Sequence, residues 1–347
     1  MLSVVSSGMV TALGFNAPAT LAALSAGISG VAEVRWLDRQ SGKPLHGAKV
    51  ALPHWWEGLG KLADLAAPAI SECLQAAAPE APQDIPILLG VAETDRPGRT
   101  EGLTERLLEE IEFRLSLPRH RDSGVYPFGQ MGCAFALLDA LQIIEQGRAH
   151  MCVLAGVDSF LHQPTLDAYM RRRRLMTANN SNGFFPGEAG CAVLVARTDS
   201  TPRDELRLIG MGRGVEPATI NGADPLRAVG LTQATRQALD SAGITMQEIA
   251  YRITDLSGEH YKFKEALFVV GRLDRGARKG ALDLWHPIEF VGEIGAAILP
   301  CILGWALHAQ QFAYAPGPLA LCHVGSDDGQ RAAIIAAPRI SGDPLHG

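Results

Sequence analysis

The residue best placed to do chemistry is Cys133. It follows Gly132 at the head of Gly132-Cys-Ala-Phe-Ala-Leu-Leu-Asp-Ala-Leu-Gln-Ile-Ile-Glu-Gln-Gly147, a run that is apolar almost all round and closes on a glycine. Such a run reads as a helix buried on most faces. A thiol on its first turn meets the positive end of the helix macrodipole, which lowers the thiol pKa and enlarges the thiolate fraction. Gly132 beside it would let a substrate approach the backbone closely. The chemistry this implies is nucleophilic attack by the thiolate; the competing reading is a cysteine that only packs a helix. The cysteines at 73, 152, 191, 301 and 322 form no C-x-x-C pair and read as buried, reduced small hydrophobes.

A thiol nucleophile needs a base, and the base needs an orienting acid. His260 and His286 are the candidate bases, with Glu259, Asp255 or Glu293 as partners. Against this, His260 also fits a helix surface, and His286, beside Trp285 and Pro287, fits a strand end. Asp255-Leu-Ser-Gly-Glu259 and Gly292-Glu-Ile-Gly-Ala-Ala297 read as loops. Gly132, Phe184, Asp255, Gly292, Asp327 and Asp328 are assigned to the polar cleft they would line. His323 with Asp327 and Asp328 is too sparse a set for a metal, and none is expected. The basic run Arg171 to Arg174 is either a solvated face or a dock for an acidic carrier or a phosphate. Gly210-Met-Gly-Arg-Gly214 lacks the spacing of a nucleotide fingerprint. Trp55-Trp56 either anchors a partner or covers core.

The elements that would position these residues alternate along the chain. Strands are expected at 2–6, 85–91, 152–155 and 191–196, with helices at 19–26, 59–77, 101–115 and 132–147. The second half repeats the rhythm, with strands at 206–211, 249–255, 319–324 and 332–336 and helices at 225–242, 259–271 and 295–308. The last two strands are expected to pair antiparallel. The order implies an α/β protein with sheets covered on both faces. Two strongly apolar helices, one in each half, suggest a duplication with that pair packed centrally. The polar stretch 197–205 is the expected seam. The halves are 1-200, carrying Cys133, and 201-347, carrying the loops at 255–259 and 292–297.

With 347 residues, 47% of them hydrophobic, the chain has ample material for large cores. A formal charge of −6 argues against a nucleic-acid binder. No apolar run reaches the roughly 18 residues needed to span a bilayer. The opening Met1-Leu-Ser-Val-Val lacks the basic region of a secretory signal, so a cytoplasmic location is expected.

Several segments, in order, resemble the β-ketoacyl synthases of the thiolase-fold superfamily. Gly8-Met-Val-Thr-Ala-Leu-Gly14 with Leu21-Ala-Ala-Leu-Ser-Ala-Gly-Ile-Ser-Gly30 is similar to that family's opening strand, loop and helix. Gly132-Cys133-Ala134 resembles its nucleophile segment, and 149–156 the strand after it. Asn182-Gly-Phe-Phe-Pro-Gly-Glu-Ala-Gly190 resembles its D-G-F-x-x-G-E-G-x-G signature, and Gly295-Ala-Ala297 its late G-A-A. The resemblance implies a five-layer α-β-α-β-α fold of two related halves, dimerised through an edge strand near the nucleophile. In active members a cysteine attacks an acyl thioester and two histidines assist decarboxylation of a malonyl unit.

Both histidines are missing here. Asp255 to Ser257 stand where the H-G-T-G-T segment would place the first, and Gly292 stands at the second. The supporting lysine falls near Pro287, and the C-terminal G-F-G-G reads Ser326-Asp-Asp-Gly329. Losing one oxyanion donor typically costs about 10²–10³ in rate, and an acid at 327 or 328 would oppose a developing oxyanion and raise the thiol pKa. Decarboxylative condensation by a Cys-His-His route is therefore not expected. Two readings follow. In the first the chain is a non-condensing partner subunit or adaptor, akin to a chain-length factor, or linked to a bacterial secretion effector. In the second it is an acyltransferase, thioesterase or atypical 3-oxoacyl synthase that uses Cys133, with acyl-CoA or acyl-carrier phosphopantetheine as substrate. Neither requires a cofactor. Both imply a homodimer, or a heterodimer with a related chain. An acyl carrier or an effector protein is the further partner the resemblance suggests.

Overall fold

A computed structural model describes residues 1–39, 41–77, 81–198, 200, 205–278 and 280–339. The first half runs β1 (Leu2–Val10), α1 (Ala17–Ser25), β2 (Ala32–Leu37), β3 (Pro44–Gly47), α2 (Leu59–Gln75), β4 (Ile87–Gly90) and α3 (Leu103–Leu115). It continues with β5 (Gly124–Tyr126), α4 (Gly132–Glu145), β6 (Met151–Ser159), α5 (Gln163–Arg171) and β7 (Glu188–Arg197). The second half runs β8 (Glu205–Val215), α6 (Val229–Ala242), β9 (Tyr251–Thr254), α7 (His260–Leu273), β10 (Asp283–Trp285) and α8 (Ile288–Val291). It ends with α9 (Ile298–Gln311), β11 (Ala320–Gly325) and β12 (Gln330–Arg339).

The strand order shows the duplication. β1-β7-β6-β4-β5 in the first half has the same order and sense as β8-β12-β11-β9-β10 in the second. In each, two antiparallel pairs are followed by two parallel ones. A short antiparallel pairing of Leu2–Val4 with Leu206–Leu208 joins the two. One core cluster draws on α4, α9 and the facing strands of both halves, so these two apolar helices form the middle layer. α2 and α3 cover the outer face of one sheet, and α6 covers that of the other. The chain is thus an α-β-α-β-α stack. The expected boundary at 200/201 borders residues 201–204, which lie outside the described residues.

The periodic segments fold as their spacing predicts, with three differences. β1 continues to Val10 instead of stopping at Gly8, because Gly8 faces α2, where a Cβ would lie 2.0 Å from the Ala69 carbonyl. The segment 295–308 opens with a 3₁₀ turn over Gly295–Ala297 before α9 begins. The hairpin β2–β3, the helix α5 and the short strands β5 and β10 carry too few periodic residues to be read.

Gly210-Met-Gly-Arg-Gly214 has a packing role. Glycines at every second position of β8 share one face, and a Cβ on Gly212 would lie 2.0 Å from the Ala234 carbonyl of α6. Gly210 and Gly214 are equally close to α6 backbone. The helix therefore sits directly on the strand. Gly271, inside α7, has open space around its ideal Cβ. Gly212→Ala should destabilise the protein by about 1–3 kcal/mol or more through overpacking. Gly271→Ala should stabilise it by about 0.5–1 kcal/mol through helix propensity. Urea unfolding of the two variants checks the opposite signs.

Candidate functional site

Cys133 occupies the first turn of α4, as expected, but its side chain is fully buried. Its Sγ lies 3.3 Å from the Ala155 carbonyl and 3.5 Å from the Ala296 carbonyl, both acceptors that favour the thiol over the thiolate. The third wall is Gly90, whose ideal Cβ would stand 2.8 Å from the sulfur. Burial pushes the Cys133 thiol up to about 12, and the Gly90 backbone only partly offsets this. The sequence expectation of a lowered pKa is corrected, since desolvation outweighs the helix dipole here. Gly132 does not leave an approach for substrate either. A Cβ there would meet the Tyr126 carbonyl at 2.7 Å and the Gly90 Cα at 3.1 Å.

The proposed bases do not face the thiol's polar neighbours. His260 is exposed on the first turn of α7, and its backbone N–H donates to Asn182 Oδ1 at 2.8 Å. His286 Nδ1 lies 3.3 Å from Glu289 on the next turn, with its ring edge-on to Phe263. The orienting acids have other partners. Glu259 accepts from Arg174 Nε at 2.7 Å and Nη2 at 3.0 Å. Glu293 accepts the Gly295 N–H at 2.9 Å, faces Gln130 Nε2 at 3.5 Å and lies 3.7 Å from Lys262 Nζ.

The two loops above Cys133 do converge, on a filled interior. Lys262 from α7 reaches inward and pairs with Asp255 at 3.1 Å. Asp255 also accepts the Gly325 N–H at 3.0 Å. Burial opposes the Lys262 charge, but Asp255, Glu293, Glu259 and Asp327 outweigh it and hold the ammonium above its ordinary pKa. The Glu293 carboxyl is raised by burial, with Lys262 pulling the other way. Arg174, the last of the basic run, turns into the protein, where it pairs with Asp327 as well as Glu259 and lies 5.2 Å from the Tyr169 ring centre. Burial would raise the Asp327 carboxyl, but the Arg174 charge and hydrogen bonds hold it below the ordinary value. Asp327 is therefore neutralised by an arginine and is no free charge over the sulfur. Asp328 is exposed and accepts from Ser326 and from the Gln330 N–H. Phe184 packs edge-on against Phe160 and Tyr169 in a satellite core.

Gly292, at the expected position of the second histidine, has φ +70°. Its ideal Cβ would lie 2.9 Å from the Gly187 Cα, so no side chain fits there. Gly295 is equally constrained by Asp158, whose carboxylate accepts the Ala296 N–H at 3.2 Å and pairs with Arg96 at 3.1 Å. The cavity left among Asp255, Lys262, Glu265, His323, Asp327 and Arg331 measures about 20 Å³. That is room for about one water, and none for an acyl chain. Among the described residues no group of three or more His, Cys, Asp or Glu side chains could hold a metal.

Lys262, Gln130, Arg174 as a buried ion and His323 as a buried neutral side chain escape the sequence reading. A lysine two positions from the exposed His260 and two from Lys264 carries no signal that it alone turns inward.

With this geometry in hand, the chain can be set beside known proteins. No protein-family profile matches the sequence. It superposes on a chain of the complex of a ketosynthase with its chain length factor from Xenorhabdus doucetiae, with TM-score 0.73 and 16% identity, covering 97% of this chain and 98% of that one. It also superposes on a ketosynthase from module 6 of the bacillaene synthase of Bacillus subtilis 168, with TM-score 0.77 and 14% identity, covering 97% and 72%. A β-ketoacyl synthase from Burkholderia phymatum matches with TM-score 0.73 and 14% identity over 97% and 99%. The chain has the ketosynthase fold. At such identities the likeness is one of architecture, and it accounts for the two related halves and the central helix pair.

Within this ketosynthase fold His323 gives the site a pH signature. Burial lowers its pKa to about 4, with Arg252, Arg331 and Lys262 acting in the same direction and Asp255 against. The unfolded chain, with a histidine pKa of about 6.5, then takes the proton first as pH falls. The contribution of neutral His323 is present above about pH 6.5 and is lost as pH drops towards 4. Wild type should therefore lose roughly 3 kcal/mol relative to His323→Gln between pH 7 and pH 4. Paired urea titrations across that range read the difference.

Proposed function

We propose that this protein is a non-condensing partner subunit or adaptor built on the ketosynthase fold. The observation that carries this reading is the closed interior. The Cys133 sulfur is fully buried within 3.5 Å of the Ala155 and Ala296 carbonyls, and the loops after β9 and before α9 are closed on the buried Lys262 and Arg174 ion pairs. An acyl thioester entering there would have to separate buried ions. Removing one partner of such a pair typically costs about 3–5 kcal/mol. Neither candidate base is placed to replace a lost histidine, because His260 is exposed on the first turn of α7 and His286 Nδ1 lies 3.3 Å from Glu289.

The pairing of a ketosynthase with a chain length factor in the Xenorhabdus complex supports a heterodimer with a related, active chain as one form of the role. β5, at the end of the sheet and leading into the Cys133 segment, is the strand such a partner would meet. The exposed Arg171, Arg172 and Arg173 are the surface an acidic acyl carrier would use. A cytoplasmic adaptor for a secretion effector is the more specific alternative within the same reading. No helix among the described residues is long and apolar enough to cross a membrane.

Intact-mass analysis tests the reading after incubation with acyl-CoA and acyl-carrier thioesters of several lengths, with Cys133→Ala as control. No adduct is expected on the folded protein. A mass gain that disappears in Cys133→Ala would overturn the proposal and establish acyl transfer through Cys133.

A further inference from the structure

Asn182-Gly183, Asn221-Gly222 and Asp328-Gly329 each place an amide or carboxyl side chain directly before a glycine. The backbone nitrogen of the glycine can attack the Cγ of such a side chain, because no Cβ obstructs the five-membered ring that forms. The reaction proceeds only where the folded chain lets that nitrogen and that carbon meet. The fold treats the three pairs differently.

Asn182 is held on every side. Its Oδ1 accepts the His260 N–H at 2.8 Å, at the start of α7. Its own N–H donates to Asn180 Oδ1 at 3.3 Å, and its carbonyl accepts from Asn180 Nδ2 at 3.2 Å. Gly183 is buried, with its ideal Cβ 2.5 Å from the Leu175 carbonyl carbon, so its backbone has no room to swing towards Asn182. Asp328 is held as well, since it accepts from Ser326 and from the Gln330 N–H. Gly329 beside it, at φ +98°, packs against the Glu216 carbonyl.

Asn221 has none of these restraints. It lies in the connection between β8 and α6, where residues 221–225 are all exposed, and its side chain makes no hydrogen bond among the described residues. One bond opposes the attack, the Gly222 N–H to the Thr219 carbonyl at 2.9 Å, which closes a turn. A single exposed turn opens at little cost. The anchors of the connection lie outside it. The Tyr261 hydroxyl donates to the Ala218 carbonyl at 2.7 Å, and the Gly230 N–H donates to Glu216 at 2.9 Å. The exposed stretch between them can therefore rearrange while both hold.

We propose that Asn221 is a site of self-modification by deamidation, the one of these three pairs that the native fold leaves open. The Gly222 nitrogen bonds to Asn221 Cγ while the Cγ–Nδ2 bond breaks. Ammonia leaves with the proton of that nitrogen, and a succinimide remains. Water then opens the ring, at Cγ to give aspartate or at the main-chain carbonyl to give isoaspartate. The net change consumes one water and releases one ammonia, with no oxidant or cofactor. It adds one negative charge to a chain of formal charge −6, and isoaspartate also lengthens the main chain within the exposed stretch. The site is independent of the thiol and holds whether or not Cys133 reacts.

The test incubates the full chain at neutral and mildly alkaline pH, native and in urea, and follows each asparagine by peptide mass mapping. In the native chain Asn221 should convert at least about tenfold faster than Asn182. The rate should rise with pH, because the attacking nitrogen must lose its proton. In urea, where the turn and the contacts of Asn182 are gone, the two rates should converge. Asn221→Gln, whose longer side chain would need a six-membered ring, should abolish the native conversion and leave melting unchanged at this exposed position. Equal native rates at Asn182 and Asn221 would overturn the proposal. So would an Asn221 that persists in the native chain while it converts in urea. A preference for Asn221 that survives unfolding would also overturn it, since the neighbouring residues and not the fold would then set the site.

Discussion

The centre of this protein depends on how one buried ammonium is matched. An unpaired ion in a protein interior is far too costly to persist, and the Lys262 side chain is only 10% exposed. Its charge is met by Asp255, in the loop after β9, and by Glu293, in the loop before α9. Glu293 in turn receives the Gly295 N–H and faces Gln130, three residues before Cys133. The segments that open both central helices are therefore tied to the same charge. Arg174 repeats the arrangement from the other side, linking the end of α5 to Glu259 and Asp327. These pairs fix the conformation of the loops even though a buried ion pair adds little net stability.

The thiol's character follows from that closure. A cysteine at a helix start gains from the dipole by well under two kcal/mol or about that much in favourable cases. Complete burial against two carbonyl oxygens costs the thiolate more, and Cys133 stays protonated. Gly292 and Gly295, which look in the sequence like remnants of a catalytic segment, are required by packing against Gly187 and Asp158. Gly292 meets backbone and Gly295 meets the Asp158 carboxylate, and neither reason depends on catalysis.

Much of the fold was legible in the residues. The apolar runs at 132–147 and 295–308 announced a central helix pair, and the alternation of strands and helices announced the layered stack. The short strands β5 and β10, of three residues each, were not legible, because they are defined by neighbours and not by their own pattern. At the site, the nucleophile position and the two converging loops could be named from the sequence. What fills them could not, since Lys262 and Lys264 look alike until α7 is packed and only one faces inward. Arg174 likewise hides in a run of four arginines, three of which stay in solvent. His260 and His286 were plausible by distance along the chain, but a helix surface and a glutamate on the next turn claim them instead.

The measurement that tests this account most directly is the titration of Cys133 itself, followed by ¹³Cβ-cysteine NMR and assigned by the signal missing in Cys133→Ala. The account predicts a protonated thiol throughout the range from neutral pH up to about 10, above the ordinary cysteine value of about 8.5. A thiolate forming near neutral pH would show an open, electropositive site around the sulfur and would contradict the closed interior described above.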